Sequence, residues 1–231
     1  MRTRGVSKSL TYSEGGNATN NILINFVLLP DNIDNLLDFL IFIDEYNPRL
    51  IILQHPMFSS PELNAVSKSI WKKYFNIDNT ANLFTKKQYL FDKYYIDKLI
   101  NVLKTVQEMK NSFKSEIYFS PGLSPEEIHY YYLEPSHPLI HPGRICSRPW
   151  RRLSIKPNGD VLGCLDYSIG NITTNSFSEI WTGEKIKKLR QVLIDIERFP
   201  VCTRCCDFYN DRDYLHLPIN YTESPNLNRD E

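Results

Sequence analysis

Five cysteines stand in the chain, all after residue 145: Cys146, Cys164, Cys202, Cys205 and Cys206. Cysteine is the side chain whose thiolate binds soft metals and iron–sulfur clusters. Cys202 and Cys205 form a C-x2-C pair, the spacing that lets two thiolates grip one metal or cluster from a tight turn. Cys146 and Cys164 lie either side of Pro157-Asn158-Gly159-Asp160, a hairpin-turn sequence between two short β-prone runs. A hairpin folds the intervening chain back on itself, so both thiolates can reach one point. Two from the hairpin and two from the turn make the four donors of a 4Fe-4S cluster or a tetrahedral zinc site. Spacing leaves these two centres equal. Isolated cysteines are often inert, buried hydrophobes, but four arranged in this way argue for a shared site. Adjacent cysteines cannot easily both face one cluster, so Cys206 is read as a packing residue or reserve thiol.

No other set of residues has catalytic spacing, and no catalytic residue is assigned. His55, His129, His137, His141 and His216 are scattered. His137 and His141 precede Cys146 closely, but read as linker surface rather than as alternative ligands. Glu126-Glu127 reads as an exposed helix start rather than a carboxylate pair.

The elements that must position the cysteines follow from hydrophobic period. The apolar runs 22–29, 50–53 and 117–119 read as strands, and the continuous first run suits a buried parallel strand. Helices are expected over 33–43, from Pro61-Glu62 onward, over 89–113 and over 124–133, with Asp31 or Asn32 capping the first. This alternation gives an α/β layered segment. Pro135, Pro138 and Pro142 mark a linker. Beyond it the pattern changes to strands at 150–155 and 161–165, and helices at 178–181 and 185–196. Residues 1–20 are polar and read as a flexible leader in which Gly15-Gly16 is a plain turn.

Lysine plus arginine equals aspartate plus glutamate, 27 each, so no bulk field draws in nucleic acid or a membrane surface. The longest apolar runs fall far short of the ~20 residues that span a bilayer. The polar start lacks the apolar core of a signal peptide. A cytoplasmic protein is expected, where clustered cysteines bind metal more often than they form disulfides.

The C-terminal text resembles the SPASM/twitch extension of radical SAM enzymes. Cys146-x12-Gly159-x4-Cys164 fits that family's opening, with Cys146-Ser147-Arg148-Pro149-Trp150, Leu153-Ser154-Ile155 and Asn158-Gly159-Asp160-Val161 between. Ile169-Gly170-Asn171-Ile172, Glu179-Ile180-Trp181, Leu189-Arg190 and Cys202-Thr203-Arg204-Cys205 follow in order. The resemblance implies an auxiliary 4Fe-4S cluster held by Cys146, Cys164, Cys202 and Cys205, and a role in modifying a peptide or protein. Trp150 and Trp181 read as core. Arg148, Arg151 and Arg152 either offset cluster charge or form a solvated face.

Two departures qualify it. A full SPASM domain continues with further cysteines, but Asp211 stands where the next would fall, so one cluster is expected, as in the reduced, twitch-like form. The C-x3-C-x2-C motif that binds the S-adenosylmethionine cluster is missing from these residues. The chain therefore resembles the C-terminal part of a radical SAM protein. The expected division is a leader at 1–20, a partial (βα) barrel segment with parallel strands at 21–135, a small α+β SPASM/twitch-like domain at 144–209 and a tail at 210–231. Either a partner chain supplying the missing half-barrel, or poor solubility of the chain alone, is expected. The alternative reading is a zinc-stabilised interaction module without a redox role.

Overall fold

The computed structural model describes residues 22–77, 91–137, 145–164, 167–205 and 207–208. Strands β1 (Leu23–Val27), β2 (Leu50–Gln54) and β3 (Glu116–Ser120) form a parallel sheet in the order β1-β2-β3. Leu23 pairs with Leu50, and Leu50 with Glu116. Central β2 is the most buried, with Leu50, Ile51 and Leu53 in the core, because helices cover a parallel sheet on its faces. The sheet has three strands among the described residues and does not close into a barrel.

Helix α1 (Leu36–Asp44) carries the chain from β1 to β2, burying Leu36 and Leu40. Asn32 does not cap it. Its side chain instead accepts from the Leu29 amide at 3.0 Å and donates to the Val27 carbonyl at 2.9 Å. An Asx side chain readily satisfies nearby backbone in this way, and here it closes the turn that leaves β1. The carboxylate of Asp44 accepts from the amides of Lys114 and Ser115 at 3.1 and 2.9 Å, fixing the entry to β3.

Helix α2 (Pro61–Phe75) begins with a Ser60 cap and Pro61 in the first turn, and stops at left-handed Asn76. Helix α3 (Lys93–Met109) is capped by Asp92 and buries Ile96, Leu99, Leu103 and Val106, one stripe at helical period. It is shorter than the stretch 89–113 expected from sequence. Asp92 fixes its start, a 3-10 turn at Lys110–Ser112 follows its end, and 78–90 lie outside the described residues. Helix α4 (Pro125–Leu133) opens with a complete Ser124–Glu127 capping box, which settles the Glu126-Glu127 pair as a helix start.

The C-terminal part is built differently from the expected hairpin. The strand expected at 150–155 is a helical turn, α5 (Arg148–Arg151), followed by a two-residue strand, β4 (Ser154–Ile155). Pro149 in the first turn favours helical φ and supplies no amide. Strand β5 (Asp160–Cys164) pairs with β4 and with a third strand, β6 (Tyr167–Asn171), in an antiparallel meander. Gly159 turns β4 into β5 at φ 85°, a conformation glycine adopts freely. Asn171 braces that turn, donating to the Asn158 carbonyl at 3.1 Å and to the Asp160 carboxylate at 3.0 Å. Helices α6 (Phe177–Thr182) and α7 (Glu184–Ile196) pack over the meander, α6 opening with a Ser176–Glu179 capping box.

One hydrophobic core runs through both halves. Trp71 of α2 stacks on Phe199 at 4.4 Å between ring centres, and meets Tyr167 of β6 at 5.5 Å. Ser67 of α2 accepts from the Val201 amide at 2.8 Å. Trp150 and Trp181 are buried, as expected. No helix among the described residues is long and apolar enough to cross a membrane. The expected leader at 1–20, its Gly15-Gly16 turn, the tail, and linker prolines Pro138 and Pro142 lie outside the described residues.

Candidate metal centre

Cys146 leads into α5, and its amide donates to the Glu197 carbonyl beyond α7 at 2.9 Å. Cys164 ends β5. Cys202 lies in a 3-10 turn, Pro200–Arg204, and the Cys205 amide donates back to the Cys202 carbonyl at 3.1 Å, curling the C-x2-C segment tightly. Cys146, Cys164 and Cys202 are buried and Cys205 is half-buried. Gly163 permits close packing next to Cys164. A Cβ there would stand 2.9 Å from Leu189 Cδ2, so α7 lies directly against β5.

The thiols sense one another. Burial pushes Cys202 well above its ordinary value, and the charges of Cys205, Cys164 and Cys146 push it further in the same direction. Burial pushes Cys164 up to about 12, Cys205 adds to the rise, and the Arg148 guanidinium opposes it. Four thiols so placed, three of them buried, cannot all ionise unless a cationic centre compensates them. Ferric and ferrous ions in a cluster supply that charge.

The polar surroundings suit such a group. Ser147 Oγ and Arg148 Nε, in the two residues after Cys146, are buried and lack a hydrogen-bond partner among the described residues. Buried donors are normally satisfied, and an anionic, sulfur-rich centre is an acceptor both could use. The other Arg148 nitrogens hold Asp207 and Ser154, and Arg152 also reaches Asp207, at 2.6 Å. Arg148 is thus turned inward and half of the arginine alternative is resolved: Arg148 adds positive charge beside Cys164, while Arg152 is largely exposed.

Among the described residues no three His, Cys, Asp or Glu side chains are grouped so as to hold a metal ion. A tetrahedral zinc site draws its sulfurs to about 3.8 Å from one another, from Zn–S bonds of about 2.3 Å. A cluster ligated at separate iron corners spreads them wider.

The strongest clamp on the centre was not foreseen. Arg204, between the two cysteines of the turn, is fully buried. Its guanidinium donates to the carbonyls of Tyr131 (2.6 Å), Tyr130 (2.8 Å) and Glu134 (2.6 Å) at the end of α4, and to those of His137 and Thr203. It also lies over the Tyr131 ring. A cation on the last carbonyls of a helix satisfies them and complements the dipole. Arg190 of α7 acts similarly, donating to the carbonyls of Pro149 and Trp181, which fastens α5 beside Cys146. Sequence flagged Arg190 and Arg204 only as part of the family pattern. Neither the neighbours of Arg190, Leu189 and Gln191, nor those of Arg204, Thr203 and Cys205, give a local sign of a burial this deep.

His137 stacks on Tyr130 at 4.4 Å. His141, Cys206 and Asp211 lie outside the described residues.

Residues 146–206 match the family model for SPASM, an iron–sulfur cluster-binding domain. That segment is about a quarter of the chain and contains all four cysteines considered above. No curated protein and no solved structure matches the chain.

Proposed function

We propose that Cys146, Cys164, Cys202 and Cys205 together ligate one auxiliary 4Fe-4S cluster, and that the chain is the C-terminal part of a radical SAM enzyme that modifies a peptide or protein. The observation that carries the reading is the coupling of Cys202 to the three other thiols inside a segment matching an iron–sulfur family. Ser147 and Arg148 supply unpaired donors on one side, and the Arg204 clamp holds the C-x2-C turn against α4. These residues carry no C-x3-C-x2-C motif, so the site that cleaves S-adenosylmethionine belongs to another chain or segment. The role of this part is to hold the auxiliary cluster and to dock a substrate or partner. A cytoplasmic setting suits the reduced thiols.

The parallel sheet supports the partner reading. Among the described residues β1 has a neighbouring strand on one side only, and its first residue, Leu23, is exposed. An open edge of this kind is a template for a further strand. The test is purification under anaerobic conditions with assay of iron, acid-labile sulfide, zinc and visible absorption. About four irons and four sulfides per chain are expected for one cluster. Zinc without iron would replace the reading with the zinc-stabilised interaction module.

A further inference from the structure

The three segments that carry the cysteines are joined by one side chain. Arg148 stands two residues after Cys146 and opens α5. Its Nη1 donates to the carboxylate of Asp207, two residues after Cys205. Its Nη2 donates to Ser154 Oγ at 2.7 Å. Ser154 is in β4, opposite Leu162 of β5, and Cys164 ends that strand two residues further on. Arg148 therefore ties the Cys146 segment to the neighbourhoods of Cys205 and Cys164 at once. Both Arg148 and Asp207 are largely buried.

The remaining nitrogen is the informative one. Arg148 Nε is buried and has no hydrogen-bond partner among the described residues. A guanidinium stays protonated and each of its nitrogens donates, so whatever meets Nε must be an acceptor. A buried donor on a charged group is costly to leave unmet. The hydroxyl of the preceding residue, Ser147 Oγ, is buried and unpaired as well. Each segment that Arg148 joins carries a cysteine, and the sulfurs of a thiolate-held cluster accept hydrogen bonds. Charge points the same way, since the Arg148 guanidinium favours the ionised form of the Cys164 thiol.

We propose that Arg148 and Asp207 form a positioning pair that sets the reduction potential of the auxiliary cluster, Arg148 Nε–H donating to one of its sulfurs and Asp207 holding the guanidinium while offsetting its charge. The inference rests on the cluster proposed above. One-electron reduction by an external low-potential reductant adds one negative charge to the centre and breaks no bond at either residue. An N–H donor and a positive charge stabilise that added charge, and a carboxylate opposes it. The two residues thus pull the potential in opposite directions. Asp207 also accepts from Arg152 Nη1 at 2.6 Å, but Arg152 is largely exposed and water screens it.

The test is a potentiometric titration of the full chain, reconstituted anaerobically, with iron and sulfide assayed first and reduction followed by visible absorption and electron paramagnetic resonance. Asp207→Asn is expected to raise the midpoint potential and Arg148→Gln to lower it. Arg148→Lys keeps the charge but lacks Nε, so it should fall between wild type and Arg148→Gln. A merely structural role predicts otherwise, because both substitutions break the same ion pair and would shift the potential the same way. In wild type carrying arginine labelled with heavy nitrogen, pulsed resonance of the reduced cluster should show a nitrogen coupling that Arg148→Lys lacks. Should Arg148→Gln hold no iron, Asp207→Asn and the labelled wild type carry the test. Shifts of one sign, an unmoved potential in Asp207→Asn, or no nitrogen coupling would each overturn the inference with the cluster intact. A wild type without iron would instead overturn the cluster reading, and this inference with it.

Discussion

Replacing Arg204 with methionine keeps an apolar stem and removes the guanidinium that joins the cysteine turn to α4. Of its five carbonyl acceptors, the bonds to Tyr131 and Thr203 are buried and the other three are partly buried. Water can replace the donor at the partly buried carbonyls, so they contribute little to the difference. Hydrogen bonds from a charged donor contribute roughly 1.5–3 kcal/mol each. The two buried ones alone place the loss at about 4 kcal/mol, a large fraction of the ~5–15 kcal/mol that holds a domain folded. The loss of the cation over Tyr131 acts in the same direction. Urea unfolding of the wild type and Arg204→Met measures the difference. Arg204→Lys should recover less than half, because one ammonium cannot span the carbonyls of Tyr130, Tyr131 and Glu134 as a planar fork does. A methionine variant within about 1 kcal/mol of wild type would refute the claim that this arginine fastens the two halves together.

Gly159→Ala should destabilise the meander by roughly 1–3 kcal/mol, because at φ 85° the new Cβ stands 2.7 Å from Asn171 Oδ1; an unchanged thermal midpoint would contradict this. His55 titrates at about 3 through burial, below its ordinary 6.5. The unfolded chain therefore binds its proton first, and this contribution to stability is complete above pH ~6.5 and declines as pH falls towards 3, by about 2 kcal/mol at pH 5. His55→Leu should remove that decline, and identical pH profiles for the two proteins would disprove it. Cys205→Ser should lower bound iron while Cys206→Ser leaves it unchanged; the opposite result would make Cys206 the fourth ligand.

Much of this architecture is written in local pattern. The three strands of the first sheet, the helix starts at Pro61 and Ser124 and the Gly159 turn depend on residues within a few positions of one another, and sequence shows them directly, whereas the Asp92 cap was passed over and the start of α3 placed too early. The strand β6 was missed because Gly170 breaks its β pattern; the glycine is there because a Cβ would stand 2.8 Å from Ile180 of α6, a contact no window of sequence reveals. The turn α5 was read as strand because Trp150 favours strands, whereas Pro149 and the Arg190 donors to its carbonyl hold a helical turn. Spacing put the four thiols forward as one site, and the structure buries Cys146, Cys164 and Cys202. The burial of Arg204 on carbonyls some seventy residues away, and the placing of Asp207 against Arg148, come from tertiary packing alone.

The central claim is that four cysteines hold one cluster, and anomalous scattering at the iron edge from anaerobically grown crystals tests it most directly. The account predicts one compact group of iron peaks enclosed by the sulfurs of Cys146, Cys164, Cys202 and Cys205, beside Arg148 and Ser147. Iron bound elsewhere, or a single peak that appears at the zinc edge and not at the iron edge, would contradict it.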